Sequence, residues 1–563
     1  MKKYYIMILA AGFVCLSACH KEVNPSEEPL TVTYIRASEE SCEDTKASID
    51  GTDASFTWNT NDRVAVYADG YKISDPLADT FDDTNDATFA FSGDNVVVEG
   101  NRANFAIFPA SLVWDGTNIR ENSAANYTAS GLTVTLPASY TLAEVQNDKT
   151  PGPMIATNEP NGKLSFKHLC ALLRVEVSNV PATTRRLVFV FNDKKVQGEF
   201  TLTGVEPGTS NIVTAAASGS NNTITVFTPD IAAVSTLTIN LPLPTGTYDY
   251  ITIGAYDRAE GGLPIYTKTR LIKKSSPSTW MSERLSSRKI SAALSQVAFS
   301  VSSTKKVIFS PGNLQATTTD LGANWTWSFA PTQYTAIKNN TANTTITGRG
   351  AVSENGTVDL FGYSTDHANN FFGIIKSKRD NYYSDGPTRG AFLDWGTNSI
   401  GEYAPNYWYT MAHSEWEYLL DTRATPKFAK VSVNGVCGLL IFPDHFTWDT
   451  ATMGEQPSTI DNKSANYNSE GCFISLVKWN IIEASGVVFL PQTGFRTQNS
   501  NSVSNTGDGY YWFSDKNGTQ SGSGTTYDNN WGYCLHFLQG DLTMANTTMV
   551  KRSGAAVRLV HEL

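Results

Sequence analysis

The spacing of hydrophobic and polar residues predicts a chain made mainly of β-strands. Between residues 30 and 290, short stretches alternate apolar and polar side chains, and Gly, Asn, Asp, Pro and Ser interrupt them. Alternation with a period of two places every second side chain on one face of a strand. The clearest predicted strands are 31–35, 63–67, 132–136, 173–177, 237–241 and 251–253. No amphipathic helix of several turns separates them, which favours β-sandwiches.

This β-rich block is long for a single sandwich, so we predict two that meet near residue 160. The stretches 275–278 and 282–289 are typical of a strand exit and linker. Beyond residue 293, Trp, Tyr, Asn and Gly become frequent, and further short strands are predicted at 306–310, 487–491 and 556–560.

One short helix is predicted in this last part of the chain. Ser414 and Glu417 have the spacing of a capping box, with Ser414 as the N-cap residue. Trp416, Leu419 and Leu420 supply its apolar face at helical spacing.

The first residues predict export. Lys2 and Lys3 precede an apolar stretch, 4–14, that is too short to span a bilayer and is typical of a signal peptide. The following Leu-Ser-Ala-Cys sequence, 16–19, resembles the bacterial lipobox, which implies lipidation of Cys19. The alternative is an ordinary secretory signal. No later apolar run has the length of a membrane-spanning helix.

The amino-acid composition disfavours two classes of binding partner. The 563 residues carry a net charge of −11 with 17% charged side chains and no basic stripe, which disfavours nucleic acid. The excess of acidic residues also disfavours electrostatic binding to anionic membranes.

The cysteines indicate no metal-binding or disulfide framework. Once Cys15 and Cys19 are assigned to the signal and the lipid anchor, the remaining five are scattered, without a CxxC motif. Cys170 lies in an apolar run and is predicted to be a small buried hydrophobic residue. The spacing leaves open whether two of Cys437, Cys472 and Cys534 form a disulfide.

Catalytic motifs are absent from the sequence. There are seven histidines and no HExxH, GxSxG or phosphate-binding loop. We interpret Asp444 and His445 as structural and His413 as a loop contact. Carboxylates are numerous, so a catalytic carboxylate pair of the glycosidase type is an open alternative, although no spacing indicates one. We predict a protein that is not an enzyme and needs no cofactor.

Several segments between residues 20 and 290 resemble fimbrillin-family pilins of Bacteroidales. The most specific is 164–175, similar to the strand that opens the second sandwich of that family. The others, in chain order, are 45–48, 56–59, 62–67, 104–109 and 136–137. The resemblance implies two tandem transthyretin-like β-sandwiches in a lipoprotein precursor of a fimbrium.

The family also implies a mechanism of assembly. A trypsin-like protease removes the first strand together with the lipid, and a strand from another fimbrillin-type pilin fills the open groove. The expected cut lies between Lys46 and Ala47, with Arg36 and Ala37 as second choice. The alternative is that Lys46 is an ordinary surface lysine.

The remainder, 296–563, resembles C-type-lectin-like modules, especially the larger variety related to the formylglycine-generating-enzyme fold. The segments that carry this resemblance are 309–315, 359–363, 414–417, 489–491, 494–496, 509–514 and 556–560. Within 296–563, the calcium and sugar motifs of many such lectins, Glu-Pro-Asn, Gln-Pro-Asp and Trp-Asn-Asp, are absent, as is the cysteine pair of the enzymes. Calcium is therefore unsupported by motif, and the resemblance implies a scaffold only.

The long Gly- and Asn-rich segment 515–531 contains a candidate ligand site, because binding residues often lie on long loops of rigid scaffolds. Asp528, Asn529 and Asn530 could hold sugar hydroxyls, and Trp531 could stack on a sugar ring. The alternative is a solvated turn beside a core tryptophan. Trp512 is predicted to be a core residue.

These observations predict five segments: a signal peptide (1–18), a propeptide (19–46), two sandwiches (47–162 and 163–292) and an α+β lectin-like domain (293–563). The predicted function is a fimbrial subunit, placed at a fibre tip because 556–563 is consumed by the last domain. Its partners would be other pilins and a surface glycan or protein, and its precursor would be anchored in the outer membrane. The alternative is an uncleaved surface lipoprotein or fibre anchor.

Overall fold

The computed structural model of the protein describes residues 32–563 except for 40–57, 59, 68–69, 78–85, 96–104, 120–124, 129–130, 147–152, 159–162, 192–194, 204–212, 217–221, 230, 232–234, 245–247, 273–286, 339–340, 345–351, 366–391, 425, 468, 498–501, 517–530, 545–547 and 552. The described part is mainly β, as the alternating pattern predicts.

The first sandwich consists of two sheets with buried side chains between them. Across the larger sheet the order is β3 (Tyr71–Ile73), β2 (Ala65–Tyr67), β5 (Phe105–Phe108), β9 (Met154–Asn158), β10 (Lys163–His168), β1 (Val32–Glu39) and β4 (Asp86–Ser92). Across the smaller sheet it is β14 (Val213–Ala216), β13 (Gly198–Thr203), β7 (Gly131–Leu136) and β6 (Ala125–Thr128). Phe105 and Ile107 from the larger sheet pack with Leu132, Val134 and Phe200 from the smaller one.

The second sandwich is built in the same way. One sheet has the order β16 (Ser235–Leu243), β11 (Ala171–Val180) and β19 (Ser287–Ala293). The other has β20 (Ser295–Gln296), β18 (Tyr266–Leu271), β17 (Tyr250–Tyr256), β12 (Arg186–Phe191), β15 (Thr223–Phe227) and β8 (Ser139–Thr141). In β11, Leu173, Val175 and Val177 are buried, and they share a core with Phe189 and Ile253 of the facing sheet.

Strands cross between the two sandwiches. β10, which follows residue 162, belongs to the larger sheet of the first sandwich, where it pairs with β9 and β1. β13 pairs with β7 of the first sandwich, whereas β8 pairs with β15 of the second. The predicted division between 162 and 163 stays a prediction, and hydrogen-bonded strand pairs span it.

The C-terminal region, residues 297–563, contains smaller sheets. Two three-stranded sheets have the orders β21 (Phe299–Ser300), β22 (Lys306–Phe309), β36 (Val560–Glu562) and β24 (Thr326–Phe329), β23 (Leu314–Thr318), β25 (Gly356–Val358). A four-stranded sheet has the order β28 (Phe473–Ile474), β26 (Phe428–Val433), β27 (Val436–Ile441), β29 (Val488–Pro491), and a two-stranded sheet consists of β30 (Phe495–Arg496) and β31 (Val503–Ser504). The last sheet has the order β32 (Gly509–Lys516), β33 (Trp531–Leu538), β34 (Asp541–Thr543), and β35 (Thr548–Val550) also pairs with β33. This mixture of short strands and helices agrees with the predicted α+β texture.

The described helices are short. They are α1 (Leu142–Val145), α2 (Thr341–Thr344), α3 (His413–Glu417), α4 (Thr450–Met453) and α5 (Leu476–Ala484), with a π-helical turn at Tyr418–Thr422 and 3-10 turns at Gly93–Asn95, Ala110–Leu112 and Trp395–Thr397. α5 begins at the cap residue Ser475, whose hydroxyl accepts the Lys478 N–H at 3.4 Å. Gly486 ends it with a φ of 85°, and a Cβ there would lie 2.8 Å from Val297.

Two sequence predictions need correction. The predicted helix begins earlier than Ser414, because the Glu415 carboxylate accepts the Ala412 N–H at 2.8 Å, so the capping pair is Ala412 with Glu415. The stretch 556–560 is not one regular strand, since isolated bridges at Ala555 and Ala556 precede β36. The predicted apolar face of Trp416, Leu419 and Leu420 is confirmed, because all three are buried.

Candidate functional site

Six residues of the predicted lipidation, processing and ligand sites lie outside the described ranges. These are Cys19, Lys46, Ala47, Asp528, Asn529 and Asn530. The backbone of Trp531 begins β33 and pairs with Val550. The lipidation, processing and loop-ligand assignments therefore stay predictions.

The second-choice processing bond, between Arg36 and Ala37, lies within β1. Arg36 pairs with Lys163 on one side and Thr88 on the other, and Ala37 pairs with Leu164 and Ala87. A protease binds its substrate as an unpaired extended segment. Cleavage at this bond therefore requires β1 to leave the sheet first.

β1 is an interior strand with a neighbour on each side. It is antiparallel to β4 over seven register pairs, from Val32 opposite Ser92 to Ser38 opposite Asp86. It is parallel to β10 over four pairs, from Arg36 to Glu39. Among the described strands, β4 pairs with β1 alone, so β1 joins β4 to the rest of the sheet.

The strands that flank β1 present a buried aromatic surface. Register places Thr33, Ile35 and Ala37 opposite Phe91, Phe89 and Ala87. The last three, which belong to β4, are buried. Trp58 packs edge-on against Phe89 at 5.2 Å, Phe108 at 5.2 Å and Phe166 at 5.5 Å between ring centroids. Departure of β1 would thus leave a slot with unpaired backbone groups beside an apolar core.

The last residues of the chain are held inside the C-terminal region. Ala555, Ala556, Val557 and Leu559 have no exposed surface. Val560 exchanges two backbone hydrogen bonds with Tyr409, at 2.8 and 2.9 Å, and also pairs with Phe309. Residues 555–562 are therefore engaged within their own fold.

A second feature is a cleft between the second sandwich and the C-terminal region, with a volume of about 480 Å³. One wall is formed by Arg186, Tyr256 and the turn 258–262, which follows β17. The facing wall consists of residues 329–332, Tyr334, Glu402 and Tyr403, together with Trp479, Asn480 and Glu483 from α5.

Hydrogen bonds and ring contacts fix both walls. The Arg186 guanidinium lies over the Tyr256 ring at 4.1 Å and donates to the carbonyls of Arg258, at 2.5 Å, and Gly261, at 2.6 Å. Arg258 crosses the cleft, pairing with Glu402 at 2.7 Å and lying over the Tyr403 ring at 3.9 Å. These contacts leave the shape of the cleft preformed.

A buried polar chain runs behind the cleft from Glu483. Gln333 donates to the Glu483 carboxylate at 2.9 Å, and its own carbonyl accepts from Arg558 at 2.7 Å and from the Phe489 N–H at 2.9 Å. Burial raises the pKa of Glu483 above its usual value, and it lowers that of Arg558 to about 10. Gln333 thus separates two groups whose charges burial disfavours.

Asp444, the first residue of the Asp444–His445 pair, has structural partners. The Asp444 carboxylate accepts the Ser300 N–H at 2.9 Å, the Ser300 hydroxyl at 2.7 Å and the Arg423 guanidinium at 3.1 Å. Burial opposes its charge, but these donors hold the pKa of Asp444 below its usual value. It therefore joins β21 to Arg423, which follows the π-helical turn.

The other singled-out side chains also have structural partners. His413 stacks on Tyr533 at 4.7 Å between ring centroids, and the indole N–H of Trp512 donates to the Phe361 carbonyl at 2.7 Å from a buried position. Cys170 is buried, as predicted. Cys170, Cys437, Cys472 and Cys534 are free thiols, so the disulfide considered among the last three does not form.

The described residues contain neither a candidate metal site nor a candidate membrane-spanning helix. Within those ranges, no group of three His, Cys, Asp or Glu side chains is positioned to hold a metal ion. No helix there is both long and apolar enough to cross a bilayer.

The segments that carry the lectin-like resemblance meet in one interior. The Asn313 amide donates to the Tyr511 hydroxyl at 3.0 Å, and that hydroxyl donates to the Pro491 carbonyl at 2.8 Å. Phe361 exchanges backbone hydrogen bonds with Ala555 at 2.8 Å. These segments carry a sequence signal, whereas the cleft carries none, because its walls come from distant parts of the chain.

Comparisons with known proteins give weak similarity only. No protein-family model matches the chain, and no curated protein matches it. Among solved structures, a candidate cell adhesion protein from Bacteroides uniformis ATCC 8492 is 13% identical over 47% of this chain and 96% of its own, with a TM-score of 0.25. A similar protein from Bacteroides ovatus ATCC 8483 is 14% identical over 42% of this chain and 86% of its own, with a TM-score of 0.22. A fimbrial protein from Bacteroides ovatus ATCC 8483 is 11% identical over 90% of this chain and 95% of its own, with a TM-score of 0.16. Scores of this size assign neither family nor function.

Proposed function

We propose that this chain is an adhesive subunit of a surface fibre, assembled by strand exchange after proteolysis. In this proposal Cys19 anchors the precursor in the outer membrane, and cleavage after Lys46 releases β1 together with the lipid. A strand from another fimbrillin-type pilin then enters the vacated slot. The C-terminal region binds a surface glycan or protein.

The position of β1 carries this proposal. β1 is hydrogen-bonded on both sides, yet the predicted cut at Lys46 lies only a few residues beyond its end at Glu39. Its loss would leave two rows of unpaired backbone groups, on β4 and β10. Such rows are a strong template for an added strand.

The last strand supports a terminal place in the fibre. Residues 555–562 are buried or paired within the C-terminal region, so this segment is not available for donation to a neighbour. A subunit that accepts a strand without giving this one would stop growth at its own position. We therefore propose that it sits at the tip.

The N-terminus of the protein recovered from sheared fibres tests the mechanism. Expressed in a fibre-forming host, the wild type is expected to start at Ala47 and to be labelled by immunogold at fibre ends. Lys46→Gln should retain the acylated Cys19 and stay on the cell surface. Lys195→Gln, which replaces an exposed lysine of the second sandwich, is the matched control and should enter fibres normally.

A wild-type protein that starts at an acylated Cys19, with label confined to the cell surface, would overturn strand exchange. That result would favour an anchored lipoprotein. A start at Ala37 would move the cut to the second-choice bond and would require β1 to leave the sheet before cleavage.

A further inference from the structure

We propose that the cleft between the second sandwich and the C-terminal region binds a neutral oligosaccharide. This inference rests on the adhesive function proposed above and gives it a site and a ligand class. The cleft volume of about 480 Å³ lies within the usual range for small-molecule sites.

The cleft holds hydrogen-bonding groups that the fold does not use. The Tyr334 hydroxyl and the Glu260 carboxylate make no hydrogen bond with any residue that the structure describes, and both residues line the cleft. Glu402 engages Arg258 through one carboxylate oxygen, and Glu483 receives Gln333 through one. Each of the last two therefore has a second oxygen available as an acceptor.

Apolar surface lies beside these polar groups. Phe329, Tyr334 and Tyr403 are half-buried along one wall, with Pro331 exposed between them. Phe329 packs edge-on to Tyr403 at 6.1 Å between ring centroids, which fixes the position of both rings. Aromatic rings next to fixed polar groups suit a sugar, because a pyranose has an apolar C–H face and a rim of hydroxyls.

The balance of charge selects among ligands. Three carboxylates, Glu260, Glu402 and Glu483, line the cleft together with two guanidinium groups, Arg186 and Arg258. Both guanidinium groups already donate to protein oxygens. The unused capacity is therefore mainly for accepting hydrogen bonds, which suits hydroxyl donors and opposes an acidic sugar.

Rigid walls strengthen the case for a binding site. Thr267 donates its hydroxyl to the Ala484 carbonyl at 2.6 Å, and Asn480 donates its amide to Asn222 at 2.9 Å. Both bonds join the second sandwich to α5. A ligand would thus meet groups already in place and would pay little ordering entropy.

Two conservative variants of the full mature chain test the site. Tyr334→Phe removes one hydroxyl, and Glu260→Gln removes one exposed charge, so neither disturbs the core. Matched controls are Tyr418→Phe, a half-buried tyrosine, and Glu354→Gln, an exposed glutamate, neither of which lines the cleft. Binding is measured by calorimetry with a neutral oligosaccharide selected from an array that holds neutral glycans, their sialylated forms and cationic peptides.

We expect each cleft variant to bind the neutral glycan about 10-fold more weakly, with melting temperatures unchanged, and each control to bind within about 2-fold of the wild type. Equal binding by wild type and cleft variants would overturn the site. Failure of the wild type to bind any neutral glycan, or preference for a sialylated glycan or a cationic peptide, would overturn the ligand class.

Incorporation into sheared fibres separates this proposal from the proposed function. If the cleft variants lose the glycan but enter fibres, both proposals stand. If the wild type never enters fibres yet binds the glycan through the cleft, strand exchange fails and the cleft stands. If the wild type enters fibres and its glycan binding is insensitive to the cleft variants, the cleft fails and the fibre function stands.

Discussion

Lys430 places a buried charge where two loops of the C-terminal region meet. Its side chain has no exposed surface, and its ammonium donates to the carbonyls of Lys463, Ala465, Leu538 and Asp541 at 2.5 to 3.2 Å. A bound cation could join loops in this way, but here a side chain does so. No sequence motif marked this residue, because its partners are backbone carbonyls whose approach depends on the tertiary fold.

Replacing Lys430 by Met should weaken the C-terminal region. The change keeps the volume of the side chain but removes the donor that four carbonyls share, so we expect the free energy of unfolding to fall by about 1–3 kcal/mol at pH 7. Urea unfolding followed by tryptophan fluorescence measures this, with Lys478→Met at an exposed position as the control. A variant as stable as the wild type would contradict the proposed role of the ammonium.

The pH dependence of the same pair of proteins has a definite sign. Burial lowers the pKa of Lys430 to about 8 in spite of the attraction of Asp541, whereas an unfolded lysine titrates near 10.4. Between these values the unfolded chain binds a proton that the folded chain has released, so the free energy of unfolding rises with pH. The difference in unfolding free energy between wild type and Lys430→Met should therefore grow from pH 8 to pH 10. A constant difference over that range would contradict the lowered pKa.

At the scale of elements, β1 attaches the edge strand β4 to the rest of its sheet. Because β4 pairs with β1 alone among the described strands, anything that displaces β1 should also free β4. Ala37 has a strand partner on each side, and Pro at this position removes an N–H from the ladder.

Ala37→Pro should therefore increase hydrogen exchange of β4 amides by at least about 10-fold, while β5 and β9 stay protected. Exchange of Asp86–Ser92 measured by mass spectrometry gives the answer. Ala182→Pro, at an exposed turn position that accepts proline, is the control. Protection of β4 in the Ala37→Pro variant would mean that other contacts hold this strand.

The elements differ in how far local pattern determines them. Alternation located β7 and β11, because each has one face in a core and the other nearer solvent. It also located β16 and β17, although β17 is buried on both faces. It did not locate α5, in which Trp479, Ile481 and Ile482 are all buried. This helix packs between β12 and β17 of the second sandwich and the sheet of β26, so its apolar residues do not form one stripe.

The capping prediction failed for a related reason. Ser414 and Glu417 have the spacing of a capping box. In the structure, however, the Glu415 carboxylate accepts the Ala412 N–H, and the His413 N–H donates to the Asp515 carboxylate. Asp515 is 102 residues away, so local spacing could not include it. The cleft was invisible for the same reason, because Arg258 and Glu402 become neighbours only in the folded chain.

At the scale of the whole molecule, the second sandwich and the C-terminal region share a buried apolar interface. Val188, Val190 and Tyr256 from the sandwich pack in one cluster with Trp479 and Ile482 from α5. The sandwich keeps a separate core on the opposite side of the same sheet, which includes Leu187 and Phe189. The first cluster is therefore part of the interface, whereas the second core lies away from it.

Val190→Asp should uncouple the two units without unfolding the sandwich. Val190 is 2% exposed, and a carboxylate there would be buried against α5 without a positively charged partner in that cluster. We expect calorimetry to resolve separate transitions for the two units, where the wild type gives a coupled one, and we expect X-ray scattering to report a larger radius of gyration. Val190→Ala, which removes methyl groups but adds no charge, should keep the transitions coupled.

Because the cleft is formed between these two units, Val190→Asp should also abolish glycan binding, even though it replaces no residue that lines the cleft. Retained glycan binding in an uncoupled variant would show that one unit alone carries the site.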